Sequence, residues 1–175
     1  MTMGERTETM AKAEKGVHRP DTPVHAMTQP EIDQFLTCAP IGRIGLITQE
    51  GPYIVPVGYG YSEGKVFFHT CEEGIKVEAI RSHPNVCFEV DESLSDASLA
   101  KSVVIMGRAE IIADKKRMIP YLQKLIDKYR VPVSFDEYMS RGNRNLKEEL
   151  EMVRICLISP YTITGRKIIR KNSNF

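Results

Sequence analysis

A hydroxyl residue, a glycine and a lysine follow one another along Phe67–Lys76 in an order that suits the binding of an anion. A β-type run leads to Thr70, Gly74 allows a turn, and Lys76 falls in the first turn of a following helix. The first N–H groups of a helix have no partner within it and lie at the positive end of its dipole. The segment therefore predicts an anion site. The alternative is an ordinary strand–helix turn with Lys76 in solvent.

Two further polar residues lie within apolar runs. Arg43 belongs to the run Ile41–Thr48, where an unpaired buried charge would be costly, so we expect it to have a partner or to face solvent. Alternation with the apolar Ile44 favours the solvent face, while a ligand-facing Arg43 is the functional alternative. His69 either packs as a strand histidine or contacts a bound ligand.

The composition argues against several other kinds of site. The 24 Lys and Arg residues against 23 Asp and Glu residues leave a formal net charge of +1, without the positive charge typical of nucleic-acid binders. The cysteines and histidines lack zinc-site spacing, and the chain shows neither a secretory leader nor a membrane-spanning apolar run. We expect no metal, nucleic-acid or membrane partner, and a cytoplasmic protein with reduced thiols. Its cysteines are Cys38, Cys71, Cys87 and Cys156.

The beginning of the chain predicts an arm followed by one domain. Residues 1–26 are polar with little apolar periodicity, which predicts a flexible arm, and residues 27–175 suffice for one domain with its own core. Thr28 and Glu31 have the spacing of a capping box, so we expect a helix from there to about Cys38.

Short apolar and aromatic runs beyond this helix predict a mainly β fold with peripheral helices. The first three runs are joined by short turns without room for a crossover helix, so we expect an antiparallel meander. Helices are expected from Gly74 to Ser82 and from Lys115 to about Tyr129. Many short strands with few helices favour a barrel. The predicted strands are Ile41–Thr48, Tyr53–Tyr61, Lys65–Thr70, Asn85–Val90, Lys101–Ile112 with a bend at Gly107, and a strand pair or bent strand over 152–170.

The chain contains, in sequence order, the motifs Gly42–Gly45, Val55–Val57, His69–Lys76 and His83–Phe88. Together they resemble the pyridoxamine-phosphate-oxidase-like flavoproteins, and most of all their nitroimidazole-resistance-type branch. The resemblance implies an antiparallel split β-barrel of the FMN-binding type, which forms a homodimer with two FMN sites at the subunit interface.

The resemblance also implies roles for individual residues. Thr70 and Lys76 would bind the flavin phosphate, and Gly74 would let the backbone approach it closely. The strand Val55-Pro56-Val57 would lie along the edge of the isoalloxazine ring. Arg43 and His69 are further candidates for contact with the flavin, and the closing strand Tyr161–Lys167 is a candidate for dimer contacts.

The chain departs from the family pattern at two places. Ile75 stands where relatives often carry a basic residue, and Glu72 and Glu73 add negative charge to the loop, so phosphate binding would depend on Lys76, the backbone and a cation from elsewhere. The motifs that bind substrate in pyridoxamine phosphate oxidases are also missing, so the sequence does not support vitamin B6 oxidation.

The resemblance favours an FMN-dependent oxidoreductase acting on a small molecule, with the redox chemistry supplied by the flavin. No residue qualifies from the sequence as a catalytic acid or base. The alternatives are a flavin carrier or sensor without turnover, a split-barrel protein that binds a deazaflavin, and one that binds haem. For haem, the histidines open to consideration as axial ligands are His18, His25, His69 and His83.

Overall fold

The computed structural model describes residues 24–95, 99–140 and 145–169, and in them eight antiparallel strands form one sheet. Five helices lie outside this sheet. The strands are β1 (Val24–Ala26), β2 (Ile41–Thr48), β3 (Gly51–Gly58), β4 (Gly60–Ser62), β5 (Lys65–Cys71), β6 (Asn85–Ser93), β7 (Leu99–Ile112) and β8 (Val153–Ile169). The helices are α1 (Gln29–Cys38), α2 (Ile75–Ser82), α3 (Lys115–Lys128), α4 (Phe135–Met139) and α5 (Leu146–Met152).

The chain closes this sheet into a barrel at a single residue, Tyr59. The strand order is β3-β2-β6-β7-β8-β5-β4, with β1 pairing separately with β8. The strands β3 and β4 therefore lie at opposite ends of the order, although only Tyr59 separates them in the chain. The side chain of Tyr59 is fully buried, and its hydroxyl donates a hydrogen bond to the Leu36 carbonyl at 2.8 Å.

Helix α1 begins with the predicted capping interaction. The N–H of Thr28 donates to a Glu31 carboxylate oxygen at 2.8 Å. Met27 and Ile32 are both buried in the barrel core, as expected for apolar residues on either side of the cap. The Glu31 carboxylate also pairs with Lys167 of β8, which fixes the start of α1 against the last strand.

Two apolar cores lie on the two faces of strand β5. Val66 and Phe68 face the interior of the barrel, whereas Phe67 faces outward and packs in a second cluster with Met118 and Leu122 of α3. Period-two alternation explains this division, because successive side chains of a strand point to opposite faces. The second cluster positions α3 beside the end of β5, where the candidate site lies.

The predicted architecture is confirmed as mainly antiparallel β with a few helices, and the structure corrects one connection. The run Tyr53–Tyr61 is not a single strand, and within the described residues its first part, β3, pairs with β2 and not with β5. The reason is Tyr59, which turns into the core and lets β4 join the other end of the sheet. The predicted bend at Gly107 coincides with a register shift between Met106 and Gly107.

The structure adds detail at both ends of the chain. Val24–Ala26 pair with Ile168–Arg166 of β8, so the sheet begins inside the segment predicted as an arm. The rest of that arm, residues 1–23, lies outside the described residues. The predicted final strand is the single strand β8, and the short helices α4 and α5 precede it in the chain. No helix in the described part of the chain is long and apolar enough to cross a bilayer.

Candidate ligand pocket at the end of strand β5

The two candidate residues at the end of β5 lie on opposite faces of the strand. In the pairing with β8, His69 lies opposite Ile155 and Thr70 lies opposite Arg154. Thr70 follows Phe68 on the inner face and is only 7% exposed, whereas His69 follows Phe67 on the outer face and is exposed. Thr70 is therefore the last inward-facing residue of the strand.

Gly74 makes the turn from β5 into helix α2. Its φ of 122° lies in the region that favours glycine. Its carbonyl accepts hydrogen bonds from the N–H groups of Val77 and Glu78 at 2.9 and 3.1 Å. The preceding N–H groups, of Ile75 and Lys76, have no acceptor within the helix. The positive end of a helix thus begins directly after the loop that follows Thr70, as the sequence predicted.

A pocket of about 500 Å³ opens at this point, and we call it the Thr70 pocket. It brings together three of the predicted site residues, Thr70, His69 and Lys76. Helix α3 and the segment that follows it supply its apolar wall. The lining residues are Gly58, His69, Thr70, Cys71, Lys76, Leu122, Leu125, Ile126, Tyr129, Val131, Tyr138, Met139, Glu149, Met152 and Val153.

The size and lining of the Thr70 pocket suit a small organic ligand that carries an anionic group. Ligand pockets typically span roughly 300–1,000 Å³ and combine apolar walls with a few polar groups. The pKa of His69 lies below its ordinary value, because neighbouring atoms partly desolvate the imidazole and the charge of Lys76 disfavours a second cation. His69 therefore tends to remain neutral, although the imidazole is open to solvent in the isolated chain.

The strand Val55–Val57 does not line the Thr70 pocket, although Gly58 at the end of the same strand does. Val55 and Val57 pack against the barrel core, and Pro56 faces outward. Strand β3 ends the sheet order, so within the described residues one of its backbone edges is free of strand pairing. A proline on such an edge is expected, because it has no N–H to contribute to a ladder.

Arg43 lies on β2 and does not line the Thr70 pocket. Its guanidinium forms ion pairs with Glu89, at 3.1 Å, and with Asp91, and its side chain is 47% exposed. Both carboxylates belong to β6, and Glu89 lies directly opposite Arg43 in the register. The expectation of a partner and of solvent exposure is therefore confirmed, while contact between Arg43 and a flavin remains a prediction.

The described histidines among those considered for haem, which are His25, His69 and His83, do not come together in one pocket. His69 lines the Thr70 pocket, whereas His83 lines a different pocket of about 420 Å³ with Ile47 and Tyr53. His25 lies on β1 opposite Lys167, and His18 lies outside the described residues.

Sequence reasoning missed two residues that shape the pocket, Gly58 and Tyr129. A side-chain carbon at Gly58 would lie 2.9 Å from the Tyr129 hydroxyl, so this glycine makes room for the tyrosine. The sequence predicts helix α3, but nothing local indicates which strand end the helix covers. Tyr129 also lines another pocket, of about 620 Å³, together with Lys124 and Lys128.

The comparison with protein families decides what kind of barrel this is. A family model described as pyridoxamine 5'-phosphate oxidase matches residues 28–167. The chain belongs to this family. The resemblance found in the sequence is therefore confirmed, and the matched range covers every predicted site residue.

Solved structures of similar proteins have the same split-barrel fold. A 5-nitroimidazole antibiotic resistance protein from Bacteroides thetaiotaomicron has a TM-score of 0.70 at 19% identity, over 89% of this chain and 96% of that chain. A FAD-binding protein from Mesorhizobium loti has a TM-score of 0.62 at 25% identity, over 82% and 97%. A FAD and heme binding protein from Mycobacterium smegmatis has a TM-score of 0.65 at 15% identity, over 87% and 74%.

A curated relative, an uncharacterized protein of Rhizobium meliloti, is 29% identical over 85 residues. The match covers 49% of this chain and 55% of the relative, so this chain spans about half the length of the curated protein it matches.

Proposed function

We propose that this family member binds a flavin nucleotide in the Thr70 pocket, with the phosphate between Thr70, Lys76 and the first turn of α2. One observation carries the proposal: Thr70 and Lys76 line the same pocket of about 500 Å³. A hydroxyl donor, an ammonium group and unpaired helix N–H groups are all suited to phosphate. The backbone at Gly74 leaves open space for close approach, because nothing lies within 4 Å of the position of a side-chain carbon there.

The apolar wall and the edge of β3 provide surroundings suited to the rest of the flavin. Leu122, Leu125 and Ile126 of α3 give the pocket an apolar side. The free edge of β3 beside Val55–Val57 offers backbone groups that can match the donors and acceptors of the flavin pyrimidine ring. Pro56 leaves a carbonyl and no N–H at its position. In this proposal Val55–Val57 lie along the ring edge, and His69 contacts the flavin or a substrate.

The proposed cofactor is FMN, by the resemblance of the Thr70–Lys76 segment to that of FMN-binding relatives. The Mesorhizobium loti and Mycobacterium smegmatis relatives are described as FAD-binding, so the cofactor is best identified directly. Denaturing the purified protein and measuring the mass of the released chromophore distinguishes FMN, FAD and a deazaflavin. A haem absorption spectrum instead of a flavin spectrum would contradict the proposal.

The proposed activity is that of a flavin-dependent oxidoreductase acting on a small molecule. A bound flavin supplies hydride and electron transfer, while the protein orients it and stabilises its charge. The alternative is a flavin carrier or sensor, which would use the same binding residues. Reduction by a nicotinamide donor, followed by reoxidation with nitroaromatic acceptors over many turnovers, indicates an enzyme. Flavin binding with no turnover indicates a carrier.

We further propose a homodimer, with exposed isoleucines of β2, β3 and α2 as part of the interface. Ile41 and Ile47 on β2, Ile54 on β3 and Ile75 on α2 are each about half exposed or more. The apolar run Val103–Ile112 is by contrast largely core, since Val103 and Ile105 are fully buried. The dimer is tested by light scattering on wild type and on Ile54→Lys. Ile119→Lys, on the exposed face of α3, is the control.

A further inference from the structure

The loop before helix α2 carries negative charge beside the position proposed for a phosphate. Glu72 and Glu73 lie between Thr70 and Lys76 in the chain. A carboxylate close to a phosphate dianion would weaken its binding by like-charge repulsion. A site for phosphate at this loop therefore needs some means of cancelling or displacing that charge.

The side chain of Arg154 meets Glu72 directly. One guanidinium nitrogen of Arg154 lies 2.6 Å from a Glu72 carboxylate oxygen. The other terminal nitrogen donates hydrogen bonds to the carbonyls of Glu151 and Val153, both at 2.7 Å. Arg154 is only 8% exposed, and arginine stays charged at any pH at which proteins fold. The partner of Glu72 is thus a permanent cation held in place by backbone carbonyls.

The same contacts hold Glu72 away from the Thr70 pocket. Its N–H donates to the carbonyl of Met152 at 3.1 Å, so its backbone is attached to the start of β8 as well. Glu72 and Arg154 line a separate pocket of about 340 Å³, which also contains Arg108. Neither lines the Thr70 pocket, although Arg154 lies opposite Thr70 across the strand pair.

We propose that Arg154 is a positioning residue for phosphate recognition, which neutralises Glu72 and holds its carboxylate outside the Thr70 pocket. The proposal rests on the proposed flavin function. Arg154 acts through Glu72 and does not touch the phosphate, because its terminal nitrogens bind the two carbonyls and the carboxylate. Relatives often carry a positively charged residue at the position of Ile75. In this chain, Arg154 instead removes negative charge from the loop by neutralising Glu72.

Titrations with FMN and with riboflavin, which lacks the phosphate, test the proposal. Arg154→Gln leaves Glu72 negative and free, so FMN affinity should fall on the order of tenfold while riboflavin affinity changes little. The double variant Arg154→Gln/Glu72→Gln removes the repulsion and should regain most of the lost FMN affinity. Arg108→Gln, which removes one positive charge from the same 340 Å³ pocket, is the control and should bind FMN like wild type.

The possible outcomes separate this proposal from the proposed function. Equal losses for FMN and riboflavin in Arg154→Gln, or no recovery in the double variant, would mean a merely structural role and overturn the proposal alone. A wild-type protein that binds neither flavin would overturn both. If Arg154→Gln does not fold, Glu72→Gln still decides, because Glu72 is half exposed. In Glu72→Gln, an FMN affinity equal to or above that of wild type supports the proposal. A loss of FMN affinity without a loss of riboflavin affinity overturns it.

Discussion

The hydroxyl of Tyr129 joins two parts of the chain that the barrel brings together at Tyr59. It accepts a hydrogen bond from the N–H of Tyr59 at 2.8 Å and donates one to the carbonyl of Pro40 at 2.6 Å. The end of α3 is thereby attached both to the point of barrel closure and to the connection between α1 and β2. Since Tyr129 also lines the Thr70 pocket, the same side chain links the closure of the barrel to the pocket wall.

Replacing Tyr129 by Phe should destabilise the protein by about 1–3 kcal/mol, because it leaves the buried N–H of Tyr59 without its acceptor. Chemical denaturation monitored by circular dichroism measures the change. Tyr121→Phe is the control, since the Tyr121 ring packs on Phe67 and its hydroxyl makes no hydrogen bond in the described structure. An equal effect of both substitutions would contradict the role given to the Tyr129 hydroxyl.

Lys76→Ala should weaken FMN binding roughly tenfold to a hundredfold, through loss of a charge-assisted hydrogen bond to the phosphate. Both variants should lose affinity for FMN and not for riboflavin. The effect of Thr70→Ala should be the smaller one, because a neutral donor is weaker than a charged one. Titration of FMN and riboflavin into wild type and both variants measures this. If riboflavin binding fell as much as FMN binding, neither side chain would recognise the phosphate.

Gly74→Ala should reduce both stability and flavin affinity, whereas Gly51→Ala should reduce stability alone. The two glycines have nearly the same φ, 122° and 121°, and at both the position that a side-chain carbon would take has no atom within 4 Å. Each alanine should therefore cost on the order of 1–3 kcal/mol in backbone strain. Only Gly74 lies at the start of α2. Denaturant unfolding of the two variants therefore measures the cost of backbone strain, and flavin titration of the same variants measures the contribution of Gly74 to the site. Equal flavin affinities in the two variants would remove Gly74 from the site.

The ion pair between Glu31 and Lys167 should make the free energy of unfolding depend on pH in the acid range. Hydrogen bonds from Lys167 and from the Thr28 N–H lower the pKa of Glu31 from 4.5 to about 2. The unfolded chain binds the proton more readily, so this stabilisation is complete above pH 4.5 and is lost as the pH falls towards 2. Lys167→Met should be less stable than wild type at neutral pH, with the difference shrinking over that interval.

Lys116→Met is the matched control for this experiment, because Lys116 makes no ion pair in the described part of the chain. Denaturant titrations at several pH values measure both variants. A Lys167→Met difference that stays constant down to about pH 2 would show that Glu31 is not the group responsible.

Deleting residues 1–23 should leave folding and flavin content nearly unchanged, since that segment lacks an apolar face to bury. The truncated chain keeps Val24–Ala26, which pair with β8. Soluble yield and the ratio of flavin to protein absorbance measure the effect. Loss of soluble protein would mean that the arm contributes to packing.

Local features of the sequence determined most of the elements and the centre of the candidate site. The capping residues Thr28 and Glu31 marked the start of α1, and the turn before Lys65 marked a strand boundary, because both depend on residues close together in the chain. The Thr70–Lys76 segment is equally local: a strand end, a glycine turn and a helix start fall within seven positions. Its geometry was therefore predictable.

Only the tertiary structure decided what surrounds that segment. The pairing of β5 with β8 sets Arg154 opposite Thr70 and against Glu72, and the closure at Tyr59 brings Tyr129 and Gly58 to the pocket. These contacts join residues far apart in the chain, so they follow from strand register and from the packing of α3 against the barrel. No local propensity specifies such long-range pairings, because a strand carries the same side-chain alternation whichever neighbour it pairs with.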